Sequence, residues 1–198
     1  MTVVVLAGGH ATRLPGKLAR LVGSENEPLI VRVIRQLGAT GRPCVISLRE
    51  PLQSELGDLI QAPIVMDRYQ DAGPLGGLAS ATAQVQTPLT FAAAGDLANI
   101  DATAIDELVE QYESARAAGL GPDAVVPRHS DGQLEPLAAL YDTKVLHKLA
   151  VHALESGNRR VTDALLGMRV VYYEIAPDRA VLYHNVNTAA DLRGVIAR

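Results

Sequence analysis

The first segment suited to chemistry is a glycine-rich loop near the start of the chain. Residues 3–6 form an apolar, β-branched run that predicts a buried strand, and Gly8 and Gly9 follow it, with Arg13 and Lys17 further along. Glycines at the carboxyl end of a strand let the backbone approach a ligand and aim N–H groups at phosphate oxygens. The two cations add positive charge, so we interpret the loop as a phosphate site. By glycine content alone it is only a strand-to-helix turn with two solvated basic residues.

Two common phosphate-binding motifs do not match this loop. A phosphate-loop NTPase motif that ends at Gly16-Lys17 needs glycine and a hydroxyl residue where the sequence has Ala11 and Leu18. A dinucleotide fingerprint needs spaced glycines, whereas two glycines here are adjacent and the next is Gly16. The sequence therefore resembles neither a phosphate-loop NTPase nor a dehydrogenase.

Oxygen-bearing side chains suited to a metal occur in two later segments. Asp96 follows a strand-like run, and Asn185 and Asn187 alternate along an extended segment, so their side chains point the same way. Magnesium prefers oxygen ligands, so Asp96 is the best metal-ligand candidate, with the asparagines completing the site or holding phosphate. Purely structural roles stay open for these residues. Asp96 can be a turn aspartate, and Asn185 and Asn187 can form an Asx turn before a last helix whose N-cap is Thr188.

Composition favours a small-molecule enzyme in a reducing compartment. The 198 residues carry a formal charge of −4, which gives no overall attraction to nucleic acid or anionic lipid. One cysteine, Cys44, excludes an intramolecular disulfide. We expect neither a signal peptide nor a membrane span, because there is no basic leader and no apolar stretch of about 20 residues. The expected location is therefore the cytoplasm.

Strand-like and helical patterns alternate at a pace that predicts an α/β fold. βαβ units of this kind build a mostly parallel mixed sheet covered by helices on both faces, a Rossmann-like three-layer α/β/α sandwich. One of the predicted amphipathic helices spans about residues 52–60. A break near Gly119 to Pro122 divides a single domain, residues 1–198, into a nucleotide-binding half (about 1–118) and an acceptor-binding half (about 123–198).

The motifs, taken in order, resemble those of a known superfamily. Residues 6–17 resemble the LAGGxSxRMGxxK loop of nucleotidyltransferases, and Asp67 precedes residues 73–78, which resemble the family's GPLxG motif. Asp96 is similar to the family's metal-binding aspartate, and residues 185–192 closely resemble NxNTPxDL. Together they resemble the molybdenum cofactor guanylyltransferase family over nearly the whole chain, which implies a nucleotide-diphospho-sugar transferase type of fold.

The resemblance implies a reaction and a cofactor. GMP is transferred from GTP to the phosphate of molybdopterin, or of molybdenum-loaded molybdopterin, and pyrophosphate is released with Mg²⁺ bound at Asp96. Lys17 is placed on the phosphates, with Arg13 as a second donor, so the implied catalytic residues are Lys17, Arg13 and Asp96. Transient contact with other molybdenum cofactor proteins is expected, and contact with nucleic acid or membrane is not.

The resemblance also implies binding residues. Those expected to contact the nucleotide are Leu6, Ala7, Gly8, Gly9, Lys17, Ser47, Asp67, Gly76 and Asp96. Those expected to support the acceptor, the phosphate or the metal are Asn185, Asn187, Arg159 and Arg160. For the two arginines, a position after a helix end, where cations meet the helix dipole favourably, is an equally good explanation.

Four positions depart from the family pattern. Ala11 replaces a common serine, Gly16 stands where an aspartate commonly precedes the lysine, and Ala98 replaces a proline. Ser47 falls where several members carry an asparagine that contacts the nucleotide. Two alternatives therefore stay open. One is a related nucleotidyltransferase that uses CTP or another triphosphate, either on a different phosphorylated acceptor such as a sugar phosphate or for cytidylyl transfer to molybdopterin. The other is a non-catalytic nucleotide-binding module.

Overall fold

The computed structural model describes residues 1–8, 16–38, 41–52, 54–69 and 71–195. Its strands are β1 (Thr2–Leu6), β2 (Leu21–Val22), β3 (Glu27–Pro28), β4 (Cys44–Leu48), β5 (Ile64–Met66), β6 (Leu89–Ala94), β7 (Ala124–Arg128), β8 (Ala138–Asp142) and β9 (Val170–Glu174). Its α-helices are α1 (Leu29–Gly38), α2 (Ser54–Gly57), α3 (Gly73–Thr82), α4 (Ala102–Ala117), α5 (Thr143–Glu155), α6 (Val161–Leu165) and α7 (Ala189–Arg193). Short 3₁₀ helices cover Lys17–Ala19 and Pro177–Tyr183.

Seven of these strands form one sheet in the order β5-β4-β1-β6-β8-β7-β9. Strand β8 is antiparallel to both of its neighbours, and the other pairings in the sheet are parallel. The predicted mostly parallel mixed sheet is therefore confirmed. Strands β2 and β3 form a separate antiparallel ribbon, which the sequence did not predict because each strand has only two residues and no period to read.

Helices cover both faces of the sheet, and the inner strand β1 is accordingly apolar on both sides. Val3, Val4 and Val5 are all fully buried. Val3 and Val5 pack in the core beneath α1 and α4, whereas Val4 packs in a second core beneath α3 and α5. A continuous apolar run is what a strand covered on both faces requires. The three-layer α/β/α sandwich is confirmed.

Helix α3 lies very close to the sheet. A Cβ atom on Gly77 would stand 2.8 Å from the Ser47 hydroxyl and 3.0 Å from a methyl group of Leu6. Only glycine permits this approach without displacing a neighbour. The close packing brings the first residues of α3 to the carboxyl ends of β1 and β4.

One predicted helix is much shorter in the structure. The pattern over residues 52–60 predicted an amphipathic helix, but α2 covers only Ser54–Gly57, and turns then close from Leu56 to Leu59 and from Gly57 to Ile60. Leu56 is buried and Leu52 and Ile60 pack against the same core, whereas Leu59 is 53% exposed. One of the four apolar positions therefore contributes little burial to stabilise a longer helix.

The two parts of the chain share the sheet. Helix α4 ends just before the break predicted near Gly119 to Pro122, where Gly119 and Gly121 both have positive φ angles. Strands β6 and β8 lie on either side of this break in sequence and pair directly, with Phe91 opposite Leu140. No helix in the described part of the chain is both long and apolar enough to cross a membrane.

Replacing the central aromatic of the sheet should strongly destabilise the fold. Phe91 is fully buried on β6, and Phe91→Ala should lower the free energy of unfolding by about 3–5 kcal/mol through lost transfer energy and a residual cavity. Urea denaturation followed by circular dichroism measures the change. The matched control is Leu166→Ala, since Leu166 is 87% exposed and its loss should cost less than about 0.5 kcal/mol. A loss below about 1 kcal/mol for Phe91→Ala would contradict this account of the core.

Candidate active site

A cleft of about 330 Å³ opens at the carboxyl ends of the central strands. Its lining comprises Leu6, Ala7, Gly8, Lys17, Leu18, Ser47, Asp67, Gly73, Pro74, Gly77, Ala94, Gly95, Asp96, Glu135, Pro136, Leu137, Asn185 and Asn187. Leu6 ends β1 and Ala94 ends β6, so the cleft lies where open α/β sheets bind their ligands. Residues from both halves of the chain line it.

Most of the predicted site residues come together in this cleft. Those that line it are Leu6, Ala7, Gly8, Lys17, Ser47, Asp67, Asp96, Asn185 and Asn187. Gly76, Arg159 and Arg160 are not among the lining residues. Gly9 and Arg13 lie outside the residues that the structure describes. The chemical roles assigned to all of these residues stay predictions.

An ion pair joins the two charged residues of greatest chemical interest. Lys17 begins a short 3₁₀ helix just after Gly16, whose φ is 68°. Its ammonium group donates hydrogen bonds to the Asp96 carboxylate and, at 3.2 Å, to the backbone oxygen of Val186. The Lys17 and Asp96 side chains are 16% and 15% exposed. A cation and a carboxylate are therefore held together in a largely desolvated part of the cleft, where charge interactions are stronger than in water.

Backbone contacts hold Asp96 in place from both sides. The N–H of Gly95 donates to the carbonyl of Leu6 at 2.9 Å, and the N–H of Val186 donates to the carbonyl of Asp96 at 3.0 Å. A Cβ atom on Gly95 would stand 3.0 Å from the Leu6 oxygen, which explains the glycine. Asp96 is thus tied to the end of β1 and to the segment that carries the paired asparagines.

A second carboxylate lies in the nucleotide-binding half. Asp67 follows β5, and the Ser47 hydroxyl on β4 donates a hydrogen bond to it. Burial raises the pKa of Asp67 above its usual range, and the Ser47 hydrogen bond and the Arg49 charge partly oppose this shift. The Asp67 carboxylate is placed to accept hydrogen bonds from a ligand in the cleft.

The asparagine segment is fixed by the start of the last helix. Asp191 accepts hydrogen bonds from the backbone N–H groups of Asn187 (2.8 Å) and Thr188 (2.7 Å), and the Thr188 hydroxyl accepts from Asp191 N–H in return. This capping box confirms Thr188 as the N-cap of α7. The side-chain oxygen of Asn185 is buried and makes no hydrogen bond within the part of the chain that is described, so it can still accept one or bind a cation.

Gly76, Arg159 and Arg160 do not line the cleft. A Cβ on Gly76 would meet Ala72 and Tyr69, whereas the adjacent Gly77 lines the cleft. The Arg159 guanidinium donates to the backbone oxygen of Asp71 near the start of α3. Arg160 is the N-cap residue of α6, so the helix terminus next to it is the N-terminal end, not the C-terminal end that suits a cation.

Glu135 also lines the cleft, and the sequence did not single it out. It is 7% exposed and lies directly before the Pro136-Leu137 pair that leads into β8. Leu137 accepts a backbone hydrogen bond from Ala94 at 2.8 Å, which brings this segment to the end of β6. Because that contact exists only through the antiparallel pairing of β6 and β8, no spacing in the sequence marks Glu135.

Comparison with known proteins identifies the family of this chain. The model of the family described as "MobA-like NTP transferase domain" matches residues 3–169. The chain belongs to this family. The molybdenum cofactor guanylyltransferase of Vibrio atlanticus is 31% identical over 191 residues, 96% of this chain and 92% of that protein. The probable molybdenum cofactor guanylyltransferase of Methanosarcina mazei is 27% identical over 98% of this chain and 89% of its own length.

A solved structure extends the likeness to three dimensions. Molybdopterin-guanine dinucleotide biosynthesis protein A from Archaeoglobus fulgidus superposes with a TM-score of 0.77 at 25% identity, and the match covers 97% of this chain and 95% of that one. The fold is therefore the one found in nucleotidyltransferases of this family.

The cleft fits the magnesium ion that the family resemblance implies. Asp96 offers a carboxylate and Asn185 a buried amide oxygen that makes no hydrogen bond to any described residue, and both line the cleft. Hard oxygen donors of this kind suit Mg²⁺, which commonly takes one or two carboxylates and completes its shell with water and substrate phosphates. Among the described residues, no group of three or more His, Cys, Asp or Glu side chains could hold a metal by itself.

The capping box should make stability depend on pH in a defined window. The pKa of Asp191 is lowered to about 2, chiefly by the hydrogen bond from the backbone N–H of Asn187. An aspartate in the unfolded chain has a pKa of about 3.9. The stabilisation from the ionised carboxylate is therefore lost as the pH falls from roughly 4 to roughly 2. Asp191→Asn should therefore lower the unfolding midpoint most at and above about pH 5, and the gap to the wild type should narrow below about pH 4. Thermal melts at several pH values measure the gap. Asp178→Asn, at an exposed aspartate, controls for the lost charge, and a gap that stays constant from pH 6 to the acid limit would contradict the assignment.

Proposed function

We propose that this chain transfers GMP from GTP to the terminal phosphate of molybdopterin, or of molybdenum-loaded molybdopterin, and releases pyrophosphate with the help of Mg²⁺. Family membership supports nucleotidyl transfer, and the relatives named molybdenum cofactor guanylyltransferase support the substrates. The observation that carries the proposal is the Lys17–Asp96 pair, held in a cleft that both halves of the chain line.

The reaction needs two phosphates brought into line. An oxygen of the acceptor phosphate attacks the α-phosphorus of GTP and forms a new P–O bond, while the bond to the departing pyrophosphate breaks and that oxygen keeps the electron pair. No covalent enzyme intermediate is required, so the protein acts by positioning both substrates and by stabilising charge.

Lys17 supplies the positive charge that this transition state needs. Its ammonium group is held between Asp96 and the Val186 carbonyl, within the cleft and largely out of solvent. A bound triphosphate offers the ammonium group oxygens of higher negative charge, so Lys17 can pass from Asp96 to the phosphates. There it stabilises the charge that develops as pyrophosphate leaves.

Asp96 and the asparagines form the metal side of the site. Asp96, with Asn185 and Asn187 beside it in the cleft, would hold Mg²⁺. When bound, the ion neutralises phosphate charge and polarises the phosphoryl oxygens. The capping box fixes the backbone of Asn187, so these amide groups need little rearrangement on binding.

The two halves of the chain take different substrates in this proposal. The backbone of residues 6–8 flanks the nucleotide, and Asp67 with its Ser47 hydrogen bond accepts from ribose or base. The half from about residue 123 onward holds the acceptor. We further propose that the reaction takes place in the cytoplasm, where guanosine triphosphate is available.

Removing either member of the ion pair should abolish most of the activity. Lys17→Met and Asp96→Asn should each lower kcat by about 10²- to 10³-fold, the usual loss when a group that stabilises transition-state charge is removed. Release of pyrophosphate from GTP in the presence of molybdopterin measures the rate. Lys148→Met, at an exposed lysine on α5, is the matched control and should keep wild-type kcat. Turnover within threefold of wild type in a folded Asp96→Asn protein would contradict the metal assignment.

Nucleotide binding should favour guanine. In the presence of Mg²⁺, GTP at a hundredfold above its dissociation constant adds about 2.7 kcal/mol to stability, which raises the unfolding midpoint by roughly 5–10 °C in a chain of this size. GTP, CTP, ATP and UTP compared side by side in a thermal-shift series test this. A shift with CTP or UTP in place of GTP would indicate a nucleotidyltransferase that acts on a different acceptor. No shift with any triphosphate would indicate a protein that does not turn over nucleotides.

A further inference from the structure

Glu135 is a buried carboxylate whose two oxygens have different surroundings. Its side chain is 9% exposed and lines the cleft in the acceptor-binding half. One oxygen, Oε1, receives the Gln133 amide N–H at 2.9 Å and lies 3.1 Å from His129 Nε2. Since a carboxylate only accepts, His129 carries its proton on Nε2 in this contact. Within the described part of the chain, Oε2 has no hydrogen-bond partner.

The Oε1 contacts set the orientation of this carboxylate. The His129 ring is itself placed by an edge-on contact with Tyr183, whose centroid lies 6.5 Å away at 85°. The backbone N–H of Glu135 donates to the Pro127 carbonyl at 2.9 Å. With Oε1 occupied by two donors, Oε2 keeps its lone pairs for a ligand in the cleft, at an orientation set before binding.

The charge of Glu135 indicates which part of a ligand it meets. Asp96 has the Lys17 ammonium group beside it, whereas the contacts of Glu135 within the described residues are with His129 and Gln133. Without such a cation a carboxylate repels phosphate oxygens, so we place Glu135 away from the phosphates of both substrates. It suits an uncharged group that presents N–H donors. Gln133 and His129 satisfy Oε1 within the protein, so Oε2 is the oxygen of Glu135 that a donor-bearing substrate can reach.

We propose that Glu135 selects the acceptor by accepting hydrogen bonds, through Oε2, from the 2-amino-4-oxopyrimidine edge of its pterin ring. That edge carries an amino group next to a ring N–H, two donors that point the same way. This inference rests on the proposed function, because it takes the acceptor to be a pterin. It assigns Glu135 a role in specificity and none in the transfer of the phosphoryl group.

Glu135→Gln tests the assignment with almost no change of volume. If the amide oxygen keeps the contacts of Oε1, the amide NH₂ takes the place of Oε2 and presents donors where the substrate also has donors. The variant should therefore lose affinity for the pterin edge by roughly ten- to a hundredfold, as expected when a hydrogen bond to a charged group is replaced by opposed donors. Glu155→Gln, at an exposed glutamate on α5, is the matched control.

Two stable pteridines serve as probes, so that the test does not depend on turnover. Pterin carries the 2-amino donor, whereas lumazine has a carbonyl oxygen at that position. Both are titrated by fluorescence into protein saturated with Mg²⁺ and guanosine 5′-(α,β-methylene)triphosphate, which occupies the nucleotide site. The wild type and Glu155→Gln should bind pterin at least about tenfold more tightly than lumazine, and Glu135→Gln should lose this preference and keep wild-type affinity for the nucleotide.

The outcomes separate this inference from the proposed function. An equal affinity for pterin and lumazine in the wild type, a preference that survives Glu135→Gln, or no binding of either probe would overturn the role of Glu135. If the wild type nevertheless releases pyrophosphate from GTP and molybdopterin, the proposed function stands without it. If GTP neither binds nor reacts, the proposed function fails by itself, whatever the pteridine titrations show.

Discussion

Strands β1 and β6 lie parallel and side by side, and the hydrogen bond between Gly95 N–H and the Leu6 carbonyl joins their ends. This junction places the backbone of residues 6–8 next to Asp96. Leu6 and Asp96 therefore lie close together although ninety positions separate them in the sequence. A side chain on Gly95 would press against the Leu6 oxygen, so the junction depends on that glycine.

The second half of the chain reaches the same point by a different route. Because β8 runs antiparallel to β6, its amino end lies beside the carboxyl end of β6, and the Leu137 carbonyl accepts from Ala94 N–H. The residues just before β8 thus enter the cleft, Glu135 among them. The C-terminal segment arrives through the bond from Val186 N–H to the Asp96 carbonyl. Because β8 is antiparallel to β6, residues from both halves of the chain line the cleft.

The charged side chains that line this cleft have partners within the described residues. Lys17 and Asp96 neutralise each other, and the Asp67 carboxylate has the Ser47 hydroxyl. Counting contacts among the described residues, Asn185 and Glu135 each keep an oxygen without a hydrogen bond. The amide oxygen suits a hard cation, and the carboxylate oxygen suits N–H donors. The pattern suits two substrates that share negative phosphates at their meeting point and carry uncharged rings at their far ends.

The sequence by itself determined the α/β class, the mostly parallel mixed sheet and half of the residues that line the cleft. It could do so because a buried strand, an amphipathic helix and a glycine-rich loop are local patterns, and because short motifs mark the ends of strands. It overestimated α2, where Leu59 is exposed although the spacing assigned it to the buried face, and it did not find the β2–β3 ribbon. Only the tertiary structure decided that Gly77, not its neighbour Gly76, lines the cleft, that Lys17 pairs with Asp96, and that Glu135 lines the same cleft. Those contacts join residues far apart in the chain through strand order and direction, which are set by the packing of the whole sheet and leave no period or spacing in the sequence.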